Sequence, residues 1–120
     1  MPYHVLIADD HPLFREALAS IISMTLPECS LQQATDYSEA QQALSESTFD
    51  LAFVDLNMPD SNGLTDLALL KKMHPELPIV VVSAHEEAEV IRTCIGHGAA
   101  GYSIKSSGPN EIKNAIQAIL

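Results

Sequence analysis

Four apolar runs in this chain end on residues that can do chemistry: Asp9 and Asp10 after the first, Asp55 after the second, Ser83 after the third and Lys105 after the fourth. If those runs are strands of an open parallel α/β sheet, the residues just past their carboxyl ends meet on one rim, where such folds bind ligands. Three carboxylates, a hydroxyl and an ammonium would converge there. Carboxylates a few ångströms apart repel and raise one another's pKa unless a cation joins them. A small set of hard oxygen donors selects Mg²⁺, which takes one or two carboxylates and keeps several waters. Asp55 also opens the loop LNMPDSNG, and an aspartate in that place can attack a phosphoryl group as a covalent nucleophile. Lys105 offers phosphate a mobile point charge, and Ser83 offers a hydroxyl. Taken singly these residues have plainer readings. Asp9 and Asp10 could only cap a helix starting near Pro12, and a Ser or Lys at a strand end is often only solvated.

The elements that must position this set are legible in outline. Five segments read as strands: His4 to Ala8, Ser30 to Ala34, Leu51 to Asp55, Ile79 to Ser83 and Gly101 to Lys105. Three are continuous apolar runs, as parallel strands covered on both faces require, and Ser30 to Ala34 is the weakest of the five. Helical start signals fall between them: Pro12 before LFREALASIISM, Ser38 with Gln41 as a capping box, and Ser107 before Pro109. The last segment, from Glu111, carries Ile112, Ile116, Ile119 and Leu120 on one apolar stripe. Strands alternating with helices imply right-handed βα crossovers and a three-layer α/β/α sandwich around a five-stranded parallel sheet.

Composition bounds the setting. At 120 residues and 47% hydrophobic content, the chain suits a single domain over 1–120. Sixteen acidic against six basic side chains give a formal charge of -10, which repels phosphate backbones and anionic lipid. This stretch should not itself bind DNA or a membrane. Cys29 and Cys94 have no CxxC spacing, no apolar run approaches the roughly 20 residues that span a bilayer, and no signal-like leader is present. A reducing cytoplasm fits best.

In order and spacing, Asp9, Asp10, Asp55, Ser83 and Lys105 resemble the receiver domain of bacterial two-component response regulators, over essentially all 120 residues. LIADDHPLFREAL and GHGAAGYSIKSS are similar in particular to receivers of NarL/LuxR-type transcription regulators. The resemblance implies a flavodoxin-like (βα)5 fold with strand order 2-1-3-4-5. It makes Asp55 the phosphoacceptor and a ligand of Mg²⁺ or Mn²⁺. Asp10 is then a direct metal ligand, Asp9 acts largely through water, and Asn57 contributes its backbone carbonyl. Ser83 and Lys105 bind the phosphoryl group, and Tyr102, three before the lysine, is the aromatic switch residue coupled to Ser83. Asn57 and His85 occupy places where receivers tune phosphoryl lifetime. The implied partners are a sensor histidine kinase, a second copy on phosphorylation, and DNA only through a C-terminal helix-turn-helix domain outside these residues. Many receivers carry a proline, often cis, directly after the lysine. Ser106 stands there in this chain, so a trans peptide is expected.

Gly96-His97-Gly98-Ala99-Ala100-Gly101 spells GxGxxG, but a dinucleotide fingerprint must follow a strand and open a helix. Here the glycines close the helix that includes Val90 to Ile95. His4, His11, His74, His85 and His97 lack the paired spacing of a zinc site, so surface or loop roles are expected of them. An aspartate-nucleophile phosphatase is the enzyme rival, yet Asn57 stands where such an enzyme carries its second acid. The chemistry is therefore expected to be self-directed, without turnover of an external substrate. An unphosphorylated interaction module of the same fold usually loses an acid or the lysine, and this chain keeps them. A complete single-domain receiver is the remaining alternative.

Overall fold

The computed structural model describes residues 2–120. Five strands, β1 (Tyr3–Ala8), β2 (Cys29–Ala34), β3 (Leu51–Asp55), β4 (Ile79–Ser83) and β5 (Gly101–Ile104), form one parallel sheet in the order β2-β1-β3-β4-β5. Between and after them run α1 (Pro12–Thr25), α2 (Tyr37–Glu46), α3 (Leu64–Met73), α4 (Ala88–Gly96) and α5 (Pro109–Ile119). The expected fold class and strand order are both found.

Side-chain alternation along the buried strands divides the interior into two layers. Val5 and Ile7 of β1, Leu51 and Phe53 of β3, and Val80 and Val82 of β4 meet Leu18 and Ile22 of α1 and Ile112 and Ile116 of α5. The intervening residues Leu6, Ala52, Val54, Ile79 and Val81 meet Ala40 and Leu44 of α2, Leu67 and Leu70 of α3, and Cys94 of α4. Every residue of β3 and β4 is buried. Burial on both faces is why these two strands read as unbroken apolar runs ending in a polar residue.

Several local expectations are corrected. The N-cap of α2 is Asp36, not Ser38: its carboxylate accepts from Glu39 N at 2.8 Å, while Glu39 reaches back to Thr35 N at 2.9 Å. The box is thus Asp36 with Glu39, not Ser38 with Gln41. β5 stops at Ile104, and Lys105–Ser107 form a single 3₁₀ turn that swings the lysine off the sheet edge. Helix α5 is entered through Gly108 at φ 89° with Pro109 in its first turn, so Ser107 does not cap it. β1 and β2 each begin one residue earlier than expected, and Leu120 lies past the end of α5, 39% exposed. The glycines do close α4: the Gly98 N–H donates to Ile95 O, and Gly98 takes φ 100°, a left-handed value that ends helices. Among the described residues no peptide bond is cis, in line with Ser106 after Lys105.

Candidate functional site

Strand order places the acids together. β1 has β2 on one side and β3 on the other, so the chain reverses its direction of travel across the sheet there, and the ends of β1 and β3 border the resulting crevice. Ala8 is paired with Val54, and Asp9 and Asp55 follow immediately on adjacent strands. Both are buried, at 0% and 2% exposure, whereas the side chain of Asp10 keeps 26%. On the other flank Asp55 pairs with Val82, and Ser83, also fully buried, is one step further along. Ser83 in turn pairs with Ile104, next to Lys105.

Lys105 is the counter-charge. Its Nζ lies 3.2 Å from Asp55 Oδ2, to which it donates a hydrogen bond, and 3.0 Å from Asp9 Oδ2 as a charge contact out of hydrogen-bond alignment. The ammonium also sits 4.8 Å from the centre of the Phe14 ring, a cation–π contact that steers its stem along α1. Asn57 N donates to Asp55 Oδ1 at 3.1 Å. The Asp55 carboxyl is held above its ordinary value, first by burial and then by the charge of Asp9; the Asn57 N–H and the Lys105 ammonium oppose that rise. Around Asp9, Oδ1 accepts from His11 N at 2.7 Å, and Arg15 Nη1 donates to the Asp9 carbonyl at 2.8 Å. These bonds fix the turn that aims the acid pair.

Asp9 Oδ2 and Asp10 Oδ1 are buried oxygens without a hydrogen-bond donor. Such oxygens are costly unless a cation satisfies them. Asp9, Asp10, His11 and Asp55 present one donor atom each, all within 4.8 Å of one another. The cluster can hold a metal, and the oxygen-rich set suits a hard divalent cation.

A second group runs along the β4–β5 flank. Ser83 Oγ accepts from His85 N at 3.1 Å, and the Tyr102 hydroxyl donates to His85 O at 2.8 Å. Tyr102 is partly buried against the α2–α3–α4 side of the core. His85 therefore links hydroxyl and ring through its backbone, while its own ring pairs with Glu87 at 3.3 Å.

The structure brings Asp9, Asp10, Asp55 and Lys105 into one pocket with Asn57 at its lip, and joins Ser83, His85 and Tyr102 beside it. His11 is the correction. Expected in an ordinary surface or loop role, it instead turns Nδ1 into the acids, 3.1 Å from Asp9 Oδ1 and 3.2 Å from Asp10 Oδ1. Its position directly after the acid pair was the available signal. The four other histidines lie outside the cluster. Phe14 and Arg15, one α1 turn on, were also not singled out by spacing. A cleft of about 620 Å³ between Phe49 and Pro78 opens at the opposite end of the sheet, and its Asp50 is occupied by His4 N at 2.8 Å. The convergent chemistry lies at the acid cluster instead.

Fold and site together define a doubly wound α/β protein with an acidic, lysine-countered pocket at the switch point of its sheet. Residues 5–117 match the family described as the response regulator receiver domain, and the chain belongs to that family of signalling phosphoacceptors. It is 39% identical over 119 residues to the glycerol metabolism activator of Pseudomonas putida, covering 98% of this chain and 54% of that protein. It is 34% identical over 116 residues to the nitrate/nitrite response regulator protein NarL of Escherichia coli, covering 96% and 53%. Among solved structures, a LuxR-family two-component response regulator from an Aurantimonas species superposes with a TM-score of 0.88 at 28% identity, covering 99% of this chain and 85% of that one. The NarL/LuxR-type resemblance read from the sequence is found in these relatives. The chain spans about half the length of the curated relatives it matches.

Proposed function

We propose that Asp55 is the phosphoacceptor of this receiver, and that the phosphoryl group arrives from a phosphohistidine on a sensor kinase. The observation that carries this reading is the setting of the Asp55 carboxylate, buried at 2% exposure, 3.2 Å from Lys105 Nζ and beside two further acids. In the transfer an Asp55 oxygen forms the new bond to phosphorus as the phosphorus–nitrogen bond of the donor breaks, and the donor imidazole leaves with that electron pair. The Lys105 ammonium is placed to follow the incoming charge, and the Ser83 hydroxyl to donate to a phosphoryl oxygen. Asp10, Asp55 and the Asn57 carbonyl would hold Mg²⁺ or Mn²⁺, with Asp9 acting through water. Such an ion neutralises charge on the phosphoryl oxygens during transfer.

The switch is read from Ser83 and Tyr102. A phosphoryl group that engages Ser83 competes with the hydroxyl's hold on His85 N, and the Tyr102 hydroxyl is tied to the carbonyl of the same residue. A change at the acid pocket thereby reaches α4 through one loop residue, a local event biasing a two-state element. His85 and Asn57 flank the acyl phosphate and set how readily water reaches it.

A longer regulator is the context that fits. The curated relatives run to about twice this length, and one is described as an activator of glycerol metabolism. With a formal charge of -10 this domain leaves DNA contact to another part of such a protein, and phosphorylation would act by pairing two copies. No described helix is long and apolar enough to cross a membrane, which agrees with work in the cytoplasm. The domain would modify itself and turn over no external substrate.

The deciding experiment is intact mass after incubation with acetyl phosphate and Mg²⁺. Wild type should gain one phosphoryl group, and Asp55→Asn and a magnesium-free control should gain none. A folded wild type that gains nothing from acetyl phosphate or from a kinase donor refutes the assignment.

A further inference from the structure

We infer that His11 is a metal ligand of the acid pocket and gives it a preference for late first-row divalent metals over Mg²⁺. The inference rests on the proposed reading of the acids as a metal site and adds a nitrogen donor to it. His11 Nδ1 stands 3.1 Å from Asp9 Oδ1, 3.2 Å from Asp10 Oδ1 and 3.8 Å from Asp55 Oδ2. Neighbouring donors on an octahedral ion with bonds of about 2.1 Å are roughly 3.0 Å apart, so the separations to Asp10 and Asp55 suit one shared ion, with Asp9 close enough to act on it through water. Asp9, fully buried, turns Oδ1 to the ring, where it also accepts from His11 N, and Oδ2 toward Lys105; Asp10 Oδ1 has no hydrogen-bond donor.

The ring nitrogen faces the acids. Lys105 Nζ lies 2.9 Å from Nδ1 and Asp9 Oδ1 lies 3.1 Å from it, so Nδ1 accepts from the ammonium in one tautomer and donates to the carboxylate in the other. One oxygen each of Asp9 and Asp10 lies 3.1 to 3.2 Å from the ring nitrogen, and in the tautomer with Nδ1 as acceptor the three form a donor set for one cation beside the Lys105 ammonium. Mg²⁺ favours oxygen, whereas imidazole favours cobalt, nickel, copper and zinc, whose affinities exceed that of manganese at a given nitrogen–oxygen site. The side chain is 62% exposed and caps nothing, so it can adjust to an ion without disturbing the core.

The test is isothermal titration of the full chain with Co²⁺ and separately with Mg²⁺, at neutral pH and matched ionic strength. Wild type, His11→Ala, His11→Asn and Asp10→Asn are compared, with cobalt visible absorption as a second readout. The ratio of Co²⁺ to Mg²⁺ affinity should fall roughly tenfold or more in His11→Ala, at least the loss that removing an outer-shell partner causes. It should fall also in His11→Asn, whose side chain suits a helix N-cap and offers oxygen in place of nitrogen. An equal ratio in wild type and either histidine variant overturns the ligand assignment. Failure of wild type to bind either metal, or full binding by Asp10→Asn, would instead overturn the reading of the acids as a metal site, and the inference with it.

Discussion

At the scale of single residues, the pocket is held at a cost to the fold. Asp55 is buried beside Asp9, and its carboxyl is raised above the ordinary 3.8, burial being the first cause. A raised acid binds its proton more tightly in the folded state, so its stabilising contribution is complete below the unfolded value and is lost as pH climbs through the folded one. In metal-free buffer, then, stability should fall as pH rises above about 4. Asp55→Asn removes the charge and keeps the shape. It should raise stability at neutral pH by on the order of 1 kcal/mol, roughly 3–6 °C in thermal midpoint, and flatten that pH dependence. A variant that melts below wild type at neutral pH would show that the Lys105 contact outweighs the repulsion. Asp10, Asp55 and Lys105 were legible because strand ends alone place them. The part of His11 was not, since it depends on a side-chain rotation and on the tight turn closed by Asp9 Oδ1 over His11 N.

At the scale of elements, the loop after Asp55 is tied to a helix that the sequence assigned to other caps. Asp60, five residues past Asp55, accepts from Tyr37 N at 2.7 Å and Ser38 N at 3.0 Å. Together with Asp36 on Glu39 N, it satisfies the first three free N–H groups of α2. The loop is closed from its other end by Asp66, which accepts from Asn62 N at 2.6 Å. The cap supplied by Asp60 lies outside any local spacing, whereas the box itself, Asp36 with Glu39, has the same i, i+3 spacing as Ser38 with Gln41, so spacing alone does not tell the two apart. The weak signal of β2 has an equally physical origin: it is an edge strand paired only with β1, and Gln32 and Gln33 face solvent. Hydrogen bonds from Tyr37 and Ser38 hold the Asp60 carboxyl below its ordinary value. A lowered acid stabilises the fold above its unfolded value, and that gain disappears as pH falls through the folded one. Asp60→Ala should therefore cost about 0.5–1 kcal/mol at neutral pH, in the lower range for lost caps because the carboxylate is exposed. Urea melts should show the difference shrinking below about pH 4. A loss that persists undiminished in acid would mean that the carboxylate's charge is not what caps α2.

At the scale of the whole molecule, stability and the site's chemistry are linked by charge. The domain carries a formal -10, and its strand order gathers three carboxylates against one nearby lysine. Self-repulsion of that kind loosens a compact state, and a ligand that binds only the folded form offsets it by mass action. Mg²⁺ should thus stabilise this chain by about 2.7 kcal/mol at a hundred times its dissociation constant. General screening by salt would also help so acidic a protein, so the comparison must be made at equal ionic strength with sodium chloride. The two effects separate at Asp10. If the gain arises at the pocket, Asp10→Asn loses most of the magnesium-specific rise in thermal midpoint while keeping the response to sodium chloride. If the gain is diffuse, both responses survive the substitution almost intact, because removing one charge of so many barely alters the global field. The first outcome makes the switch point a site where the fold's electrostatic cost is relieved by the ion that the proposed transfer would use.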